Sequence, residues 1–316
     1  MLKNNLIVFA DGKNTSMQWE VVDLQQNYTL NDKMTLCYPF IKWAGGKTQI
    51  LQQLYGLAPA TFNRYFEPFI GGGALFFYLI SAKNKRFTAY LSDINGELIN
   101  SYMAVKDDVE KLIKLLRRQE NGYKKASAGY YYKLRSNNNK YSNHIEKAAR
   151  FIALNRTCYN GLYRVNRQGI FNVPWGKYKD PLICNSSNLR NVSIALRYSK
   201  AIINASDYKE ILLENAKEGD FIYLDPPYNP VSSTAYFTRY TNSGFSDQNQ
   251  KELADVFRKL DERECKVLLS NSSTALVKEL YSDFANNTTE VNALRSINCK
   301  GSRRVGHKEL IIRNYS

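Results

Sequence analysis

The segment 221–228 limits what this chain can fold into more than any other. Its apolar run Phe221-Ile222-Tyr223-Leu224 passes directly into Asp225-Pro226-Pro227-Tyr228. A short, uninterrupted apolar run predicts a fully buried strand of a parallel sheet. Two consecutive prolines end that strand, because each lacks an N–H and favours an extended conformation in the residue before it. Asp225 is therefore predicted at the carboxyl end of a strand, where open α/β sheets bind ligands.

A glycine-rich turn follows another predicted strand. Residues 65–69 are strand-like, Phe69-x-Gly71-x-Gly73 forms the turn, and an apolar helix is predicted from Ala74. Glycines allow a tight turn and a close approach of ligand to backbone, beside the helix N-terminus. Asp93 ends the next predicted strand, at the spacing of about 20 residues that suits a carboxylate binding ribose hydroxyls. The pattern predicts an adenosine-containing cofactor, either a nicotinamide dinucleotide or S-adenosylmethionine.

The Asp-Pro-Pro-Tyr segment distinguishes these two cofactors, because hydride transfer has no use for it. The same residue types also occur in ordinary strand-to-loop turns. In a methyltransferase, however, the Asp225 carboxylate and a backbone carbonyl at Pro226 would accept the two N–H bonds of an aromatic amine. The lone pair is then available for in-line attack on a sulfonium methyl group. Tyr228 would stack on the base, which contributes about 1–3 kcal/mol, and a base within a duplex has to be flipped out.

Alternating strand and helix patterns along the chain predict the fold class. We expect an α/β protein with a doubly wound sheet that is interrupted by a mostly helical insertion. The catalytic domain is predicted to comprise residues 37–95 and 185–316, and the insertion residues 96–184. A last antiparallel hairpin is predicted between residues 289–291 and 309–312. Residues 1–36 carry no motif and are interpreted as an arm of unknown role.

Composition restricts the partners. The chain of 316 residues has a net charge of +15 and 23 tyrosines, which favours a polyanionic partner with bases to stack on. No apolar stretch approaches the roughly 18 residues of a membrane span. The five cysteines are scattered, so we expect reduced thiols in a cytoplasmic protein, with no disulfide framework and no metal site. None follows a proline, which argues against the nucleophile of cytosine-C5 methylases.

Five segments carry a resemblance to a known family. Residues 40–47, 67–73, 92–95, 159–178 and 225–230 resemble the DNA adenine-N6 methyltransferases of the Dam and Dpn type, and Asn160-Gly161-Leu162-Tyr163-Arg164 is a highly specific match. The resemblance extends from about residue 38 to the C-terminus. It implies a Rossmann-like, S-adenosylmethionine-dependent methyltransferase sheet in which the mostly helical insertion is a target-recognition domain. It also implies methyl transfer from S-adenosylmethionine to adenine in duplex DNA, within GATC, by a cytoplasmic enzyme that acts on nucleoid DNA. Whether a companion restriction endonuclease exists stays open.

The resemblance also assigns roles to individual residues. Trp43, Lys47, Asp93 and Asp225 match cofactor-contacting positions, and Asp207-Tyr208 falls where the family has a further cofactor contact. Without the resemblance, Trp43 would be interpreted as a core residue and Lys47 as a solvated lysine at a helix start.

The same comparison predicts the DNA contacts. Lys42 and Arg164 match base-reading positions, and arginine bound to guanine O6 and N7 is the commonest specific contact. Arg164 and Lys177 could equally be phosphate contacts, which position without specifying, as could the loop 300–304. A hairpin beside the flipped adenine is expected to include Asn160, Leu162, Pro174 and Tyr178.

Three alternatives stay open from the sequence. Methylation of cytosine N4 would favour Ser-Pro-Pro-Tyr in place of Asp-Pro-Pro-Tyr. An RNA adenine would use the same clamp, which consists of the Asp225 carboxylate, the proline turn and the Tyr228 ring. A non-catalytic DNA-binding regulator would need neither Asp225 and Tyr228 nor the glycine turn and Asp93, all of which are intact. The sequence does not decide between duplex and single-stranded DNA, and it does not fix the oligomeric state.

Overall fold

A computed structural model describes residues 36–82, 86–136, 141, 143–228, 245–293 and 307–316 of the chain. The predicted N-terminal arm, apart from Leu36, and the basic loop 300–304 lie outside these described residues.

Within these described ranges, seven strands form one mixed sheet with the order β3-β2-β1-β4-β5-β7-β6. The first five strands run parallel, while β7 is antiparallel to both β5 and β6. The α/β prediction and the final hairpin are thereby confirmed. The strands are β1 (Arg64–Glu67), β2 (Thr88–Asp93), β3 (Ile202–Ala205), β4 (Phe221–Leu224), β5 (Lys266–Ser272), β6 (Thr288–Ala293) and β7 (His307–Arg313).

The chain reverses its direction across the sheet at β1. From β1 it moves outward to β2 and β3, and then returns to place β4 on the other side of β1, with Tyr65 opposite Phe221. The carboxyl ends of β1 and β4 therefore lie side by side. Ligands of open α/β sheets bind at such a switch point. The glycine turn follows β1 at this point, and Asp225 follows β4.

Helices cover the sheet and form much of the predicted insertion. They are α1 (Leu51–Leu57), α2 (Ala74–Ala82), α3 (Gly96–Asp107), α4 (Val109–Ser136), α5 (His144–Thr157), α6 (Ser186–Tyr198), α7 (Tyr208–Asn215), α8 (Asp247–Glu262) and α9 (Ala275–Leu280). Several begin at a side-chain cap, as α3 does at Asn95, whose side chain accepts from the N–H groups of Glu97 and Leu98. None of the helices described is both long and apolar enough to cross a membrane.

Strand β4 is buried on both faces, which explains its uninterrupted apolar sequence. Phe221 and Tyr223 pack into one hydrophobic cluster, while Ile222 and Leu224 pack into a second cluster on the opposite side of the sheet. Alternate residues of a strand point to opposite faces, so a strand covered on both sides has to be apolar throughout.

The predicted insertion begins against the sheet and then leaves it. Helix α3 packs against β2 and β3 as well as α5, and α4 lies along α5 with a kink at Ser127. Beyond α5 the chain folds back on itself as an irregular hairpin, with single bridges between Cys158 and Trp175 and between Val165 and Phe171. The boundary at residue 96 stays a prediction, since α3 contacts both parts of the structure.

Candidate active site

Asp225 lies at the carboxyl end of β4 with two partners on one carboxylate oxygen. Lys47 Nζ is 2.7 Å from Asp225 Oδ1, and Ser270 Oγ donates to the same oxygen at 2.9 Å. Burial raises the pKa of Asp225 above its ordinary value, while Lys47 and Ser270 oppose that rise. Within the described part of the chain both contacts engage Oδ1. The Oδ2 atom is therefore the one that is left to accept a hydrogen bond from a ligand.

Ser270 belongs to a short hydrogen-bonded chain through the sheet. Its hydroxyl lies 3.0 Å from the hydroxyl of Tyr223, and both side chains are buried. Because the single proton of Ser270 is directed at Asp225, Tyr223 is the donor to Ser270. Strand β5 thus orients the carboxylate that follows β4.

The Tyr228 ring lies next to this carboxylate. Lys47 Nζ is 4.5 Å from the centre of the ring, and the Tyr228 hydroxyl donates to Glu309 Oε2 at 2.8 Å. Burial raises the pKa of Tyr228 well above its ordinary value, with Asp225 and Glu309 adding to the rise. The phenol therefore keeps its proton and remains a donor to Glu309, which holds one edge of the ring.

The glycine turn after β1 has no room for side chains. Gly71 has a φ of +44°, and a Cβ atom there would lie 2.6 Å from Trp43 Cδ1. Gly73 has a φ of +70°, a conformation that side chains disfavour. The N–H of Gly71 donates to Asp93 Oδ2 at 3.3 Å, and that of Asn95 donates to Asp93 Oδ1 at 2.9 Å. Burial raises the pKa of Asp93 to about 6 against these two donors.

Aromatic rings border the same edge of the sheet. The Phe69 ring lies 5.2 Å from that of Tyr208 and 6.2 Å from that of Phe245. Asp207 caps helix α7 by accepting from the N–H of Lys209, and Tyr208 begins that helix. The buried Tyr208 hydroxyl has no hydrogen-bond partner among the residues described. A glycine turn, a carboxylate, aromatic rings and an orphaned hydroxyl together fit a nucleoside with ribose hydroxyls.

Comparison with known proteins identifies the family. The family model of the D12 class N6 adenine-specific DNA methyltransferases matches residues 43–297. The chain belongs to this class. Its reaction is the transfer of a methyl group from S-adenosylmethionine to N6 of adenine in DNA, which confirms the reaction and the methyl donor expected from the sequence. The GATC target stays a prediction.

Individual relatives match over nearly their whole length. The type II methyltransferase M.MjaIII of Methanocaldococcus jannaschii is 44% identical over 291 residues, which cover 88% of this chain and 99% of that protein. The type II methyltransferase M1.LlaDCHI of Lactococcus lactis is 44% identical over 282 residues, with coverages of 88% and 95%. A DNA adenine methylase of Escherichia coli K12 is 34% identical over 277 residues, with coverages of 86% and 93%.

In this methyltransferase the segment that precedes α1 is hydrogen-bonded to helix α5, which lies within the predicted insertion. The Asn155 side chain accepts from the Lys42 N–H at 2.8 Å and donates to the Lys42 carbonyl at 2.7 Å. Lys42 Nζ lies 4.4 Å from the centre of the Tyr178 ring, and the half-buried Trp43 ring stacks on Tyr163 at 6.0 Å. Residues predicted for the cofactor and for DNA therefore meet along one short segment.

Arg164 is exposed on the irregular hairpin, and among the described residues its guanidinium is hydrogen-bonded to Asn172. Its Nε donates to Asn172 Oδ1 at 2.7 Å, and its Nη2 donates to the Asn172 carbonyl at 3.2 Å. In return, the Asn172 N–H donates to the Arg164 carbonyl at 3.0 Å. These bonds fix the guanidinium plane and leave its Nη1 end directed away from Asn172.

The other residues predicted for DNA lie on the same hairpin. Asn160, Pro174 and Lys177 are exposed, and Leu162 and Tyr178 are half-buried. Asn160 and Lys177 have φ values of +54° and +57°. The Pro174 carbonyl accepts from the N–H of Tyr159 and so closes the hairpin base. None of these five residues reaches Asp225 through a described contact, whereas Lys47 and Ser270 do, and Lys47 also contacts the Tyr228 ring.

Sequence reasoning missed three residues near Asp225. Ser270 contacts Asp225, and Glu309 contacts Tyr228. Glu67, at the end of β1, is buried and accepts from the Tyr65 hydroxyl at 2.8 Å, and burial raises its pKa. Ser270 and Glu67 share a signal that could have found them, since each is a polar residue at the carboxyl end of an apolar strand.

Proposed function

We propose that Asp225, Pro226 and Tyr228 bind the target adenine and activate its amine. The observation that carries this proposal is the pattern of contacts on Asp225. Among the residues that the structure describes, Oδ1 contacts Lys47 and Ser270, which leaves Oδ2 for a ligand. Asp225 Oδ2 and the Pro226 carbonyl accept the two N6 hydrogens. Both bonds return the nitrogen lone pair from the ring to N6, and Tyr228 stacks on the base so that the lone pair points in line.

S-adenosylmethionine supplies an electrophilic methyl group, and we propose that one edge of the sheet holds it. Gly71 and Gly73 let it approach the backbone, and Asp93 binds the ribose hydroxyls. The rings of Phe69 and Tyr208 pack on its base, with Asp207 fixing the start of α7. Trp43 and Lys47 would close the site from the preceding segment, and Lys47 also stabilises the ionised form of Asp225 at the switch point.

We further propose that residues 96–184 recognise GATC in duplex DNA. Arg164, with its plane fixed by Asn172, would read a guanine in the major groove, and Lys42 a second base. Asn160, Leu162, Pro174 and Tyr178 would enter beside the flipped adenine, while Lys177 contacts phosphate. The net charge of +15 supports a duplex with its dense phosphates.

A companion restriction endonuclease is part of this proposal. Two relatives at 44% identity are named type II methyltransferases, whereas the relative named DNA adenine methylase is 34% identical.

Sequencing that detects methylated adenine in DNA from cells expressing this chain tests the proposed target sequence. Methylation confined to GATC is expected, and a different motif would overturn the specificity while leaving the reaction standing.

Replacing the proposed acceptor tests the site itself. Asp225→Ala should abolish methyl transfer and leave duplex binding largely intact, because most of the affinity comes from phosphate contacts elsewhere. Asp255→Ala, which removes a carboxylate exposed on α8, serves as the control and should turn over normally. Near-normal turnover by Asp225→Ala with saturating cofactor and DNA would remove Asp225 from its role.

A further inference from the structure

Two buried amides lie directly behind the Asp-Pro-Pro-Tyr segment. Gln250 on α8 and Asn271 on β5 are both fully buried. Asn271 Nδ2 donates to Gln250 Oε1 at 2.9 Å, and Gln250 Nε2 donates to the Pro227 carbonyl at 3.1 Å. Asn271 Oδ1 in turn accepts from the N–H of Ser272 at 2.8 Å, which fixes which end of its amide faces Gln250. The chain of bonds therefore has one direction, from β5 through α8 to the turn.

The bond to Pro227 controls a torsion that the prolines leave free. The rings of Pro226 and Pro227 fix φ at both positions, so only the ψ angles remain adjustable. The direction of the Pro227 carbonyl is set by ψ of that residue. By holding this carbonyl, Gln250 fixes where the chain continues, and hence where the backbone of Tyr228 begins. The far end of the Tyr228 ring is held independently by Glu309.

Strand β5 thereby reaches both halves of the clamp from two adjacent residues. Successive residues of a strand point to opposite faces. Ser270 donates to Asp225 directly, and Asn271 acts on Pro227 through Gln250. The Asp225 carboxylate and the turn that carries the second acceptor are thus both held by side chains of β5, which restricts changes in the distance between them.

We propose that Gln250 is a positioning residue for methyl transfer. Its amide donor holds the Pro227 carbonyl, and through that turn it sets the direction of the Pro226 carbonyl and the place of Tyr228 relative to Asp225. Asn271 orients the amide so that its donor end faces the turn. This inference rests on the roles proposed above for Asp225, Pro226 and Tyr228.

The isosteric substitution Gln250→Glu tests the donor alone. A carboxylate still accepts from Asn271 but has no proton for Pro227, whereas a protonated carboxyl has one. Burial raises the pKa of a carboxyl, so the donor returns as the pH falls. The single-turnover rate of the variant, divided by that of the unmodified enzyme, should fall about 10-fold to 100-fold at high pH and climb back towards one at low pH.

A matched control and a second variant complete the experiment. Gln248→Glu makes the same change on an exposed position of α8, and its ratio should stay near one at every pH. Gln250→Met has no donor at any pH, so its ratio should be low and constant, with cofactor affinity close to normal. Some thermal stability should be lost, because Asn271 Nδ2 and the Pro227 carbonyl lose their buried partner. The Met variant decides the question if the Glu variant does not fold.

Two results would overturn the inference. The first is a normal rate for both Gln250 variants. The second is a deficit that does not change with pH in Gln250→Glu and that parallels a loss of thermal stability and cofactor binding, which would mark a purely structural residue. Asp225→Ala in the same assay separates the two proposals: if it is inactive while the Gln250 variants are normal, only the role of Gln250 fails.

Discussion

Substitution of Ser270 by alanine is expected to shift the pH dependence of catalysis. Ser270 Oγ donates to Asp225 Oδ1 at 2.9 Å, and the Asp225 side chain is 19% exposed, so water replaces the lost donor poorly. A hydrogen bond to a charged group contributes about 1.5–3 kcal/mol. One pKa unit corresponds to about 1.4 kcal/mol. Losing the bond should therefore raise the pKa of Asp225 by about one to two units, on top of the rise that burial already causes.

Only ionised Asp225 accepts both the Lys47 contact and an amine hydrogen, so the acid limb of the rate profile should move to higher pH by the same amount. Single-turnover methylation over a pH series, with saturating cofactor and DNA, measures that limb. At pH values above it the variant should approach the normal rate. Ser193→Ala removes another buried serine hydroxyl, on α6, and should leave the limb unmoved. An unshifted limb in Ser270→Ala would refute the argument.

Three further expectations concern cofactor, specificity and base extrusion. Asp93→Ala should weaken S-adenosylmethionine binding by about 1.5–3 kcal/mol in calorimetry, with Asp93→Asn less affected; unchanged affinity would remove Asp93 from the site. Arg164→Ala should cost about 1–3 kcal/mol and relax discrimination at one base pair, whereas Lys177→Ala should weaken all sequences alike and lower the salt slope by about one. Uniform weakening by Arg164→Ala would make it a phosphate contact. With 2-aminopurine at the target adenine, Tyr228→Ala should bind DNA with a smaller fluorescence rise and slow turnover, and an undiminished signal would exclude stacking.

Local sequence signals predicted the parts of the site that lie on consecutive residues. The run Phe221–Leu224 predicts a buried strand, and the two prolines predict that Asp225 lies at its end, as the structure shows. The sequence also indicates the glycine turn and the position of Asp93, because turns and strand ends depend on a few consecutive residues. Gly71 then gained a second reason in the structure, since Trp43 occupies the space of its missing side chain.

The supporting residues could not be predicted in this way. Ser270 contacts Asp225 across 45 positions of sequence, and Glu309 contacts Tyr228 across 81. These contacts depend on β5 lying beside β4 and on β7 lying beside β5. Strand order follows from the whole fold, and no local pattern encodes it. Gln250 stands at helical spacing from Leu253, Ala254 and Phe257, which indicates that it faces inward. The sequence does not show that its amide meets the turn at Pro227.

Asn155 joins the segment that we propose to bind the cofactor to helix α5, which leads into the hairpin that we propose to bind DNA. Its side chain is hydrogen-bonded to both the N–H and the carbonyl of Lys42, and Trp43 and Lys47 follow within the same segment. With the roles proposed here, a displacement of this segment by one ligand moves groups that contact the other. Such coupling is reciprocal, so any factor by which DNA tightens cofactor binding equals the factor by which cofactor tightens DNA binding. The order in which the two arrive then affects only the rate of assembly, and the final occupancy of the ternary complex is the same by either route.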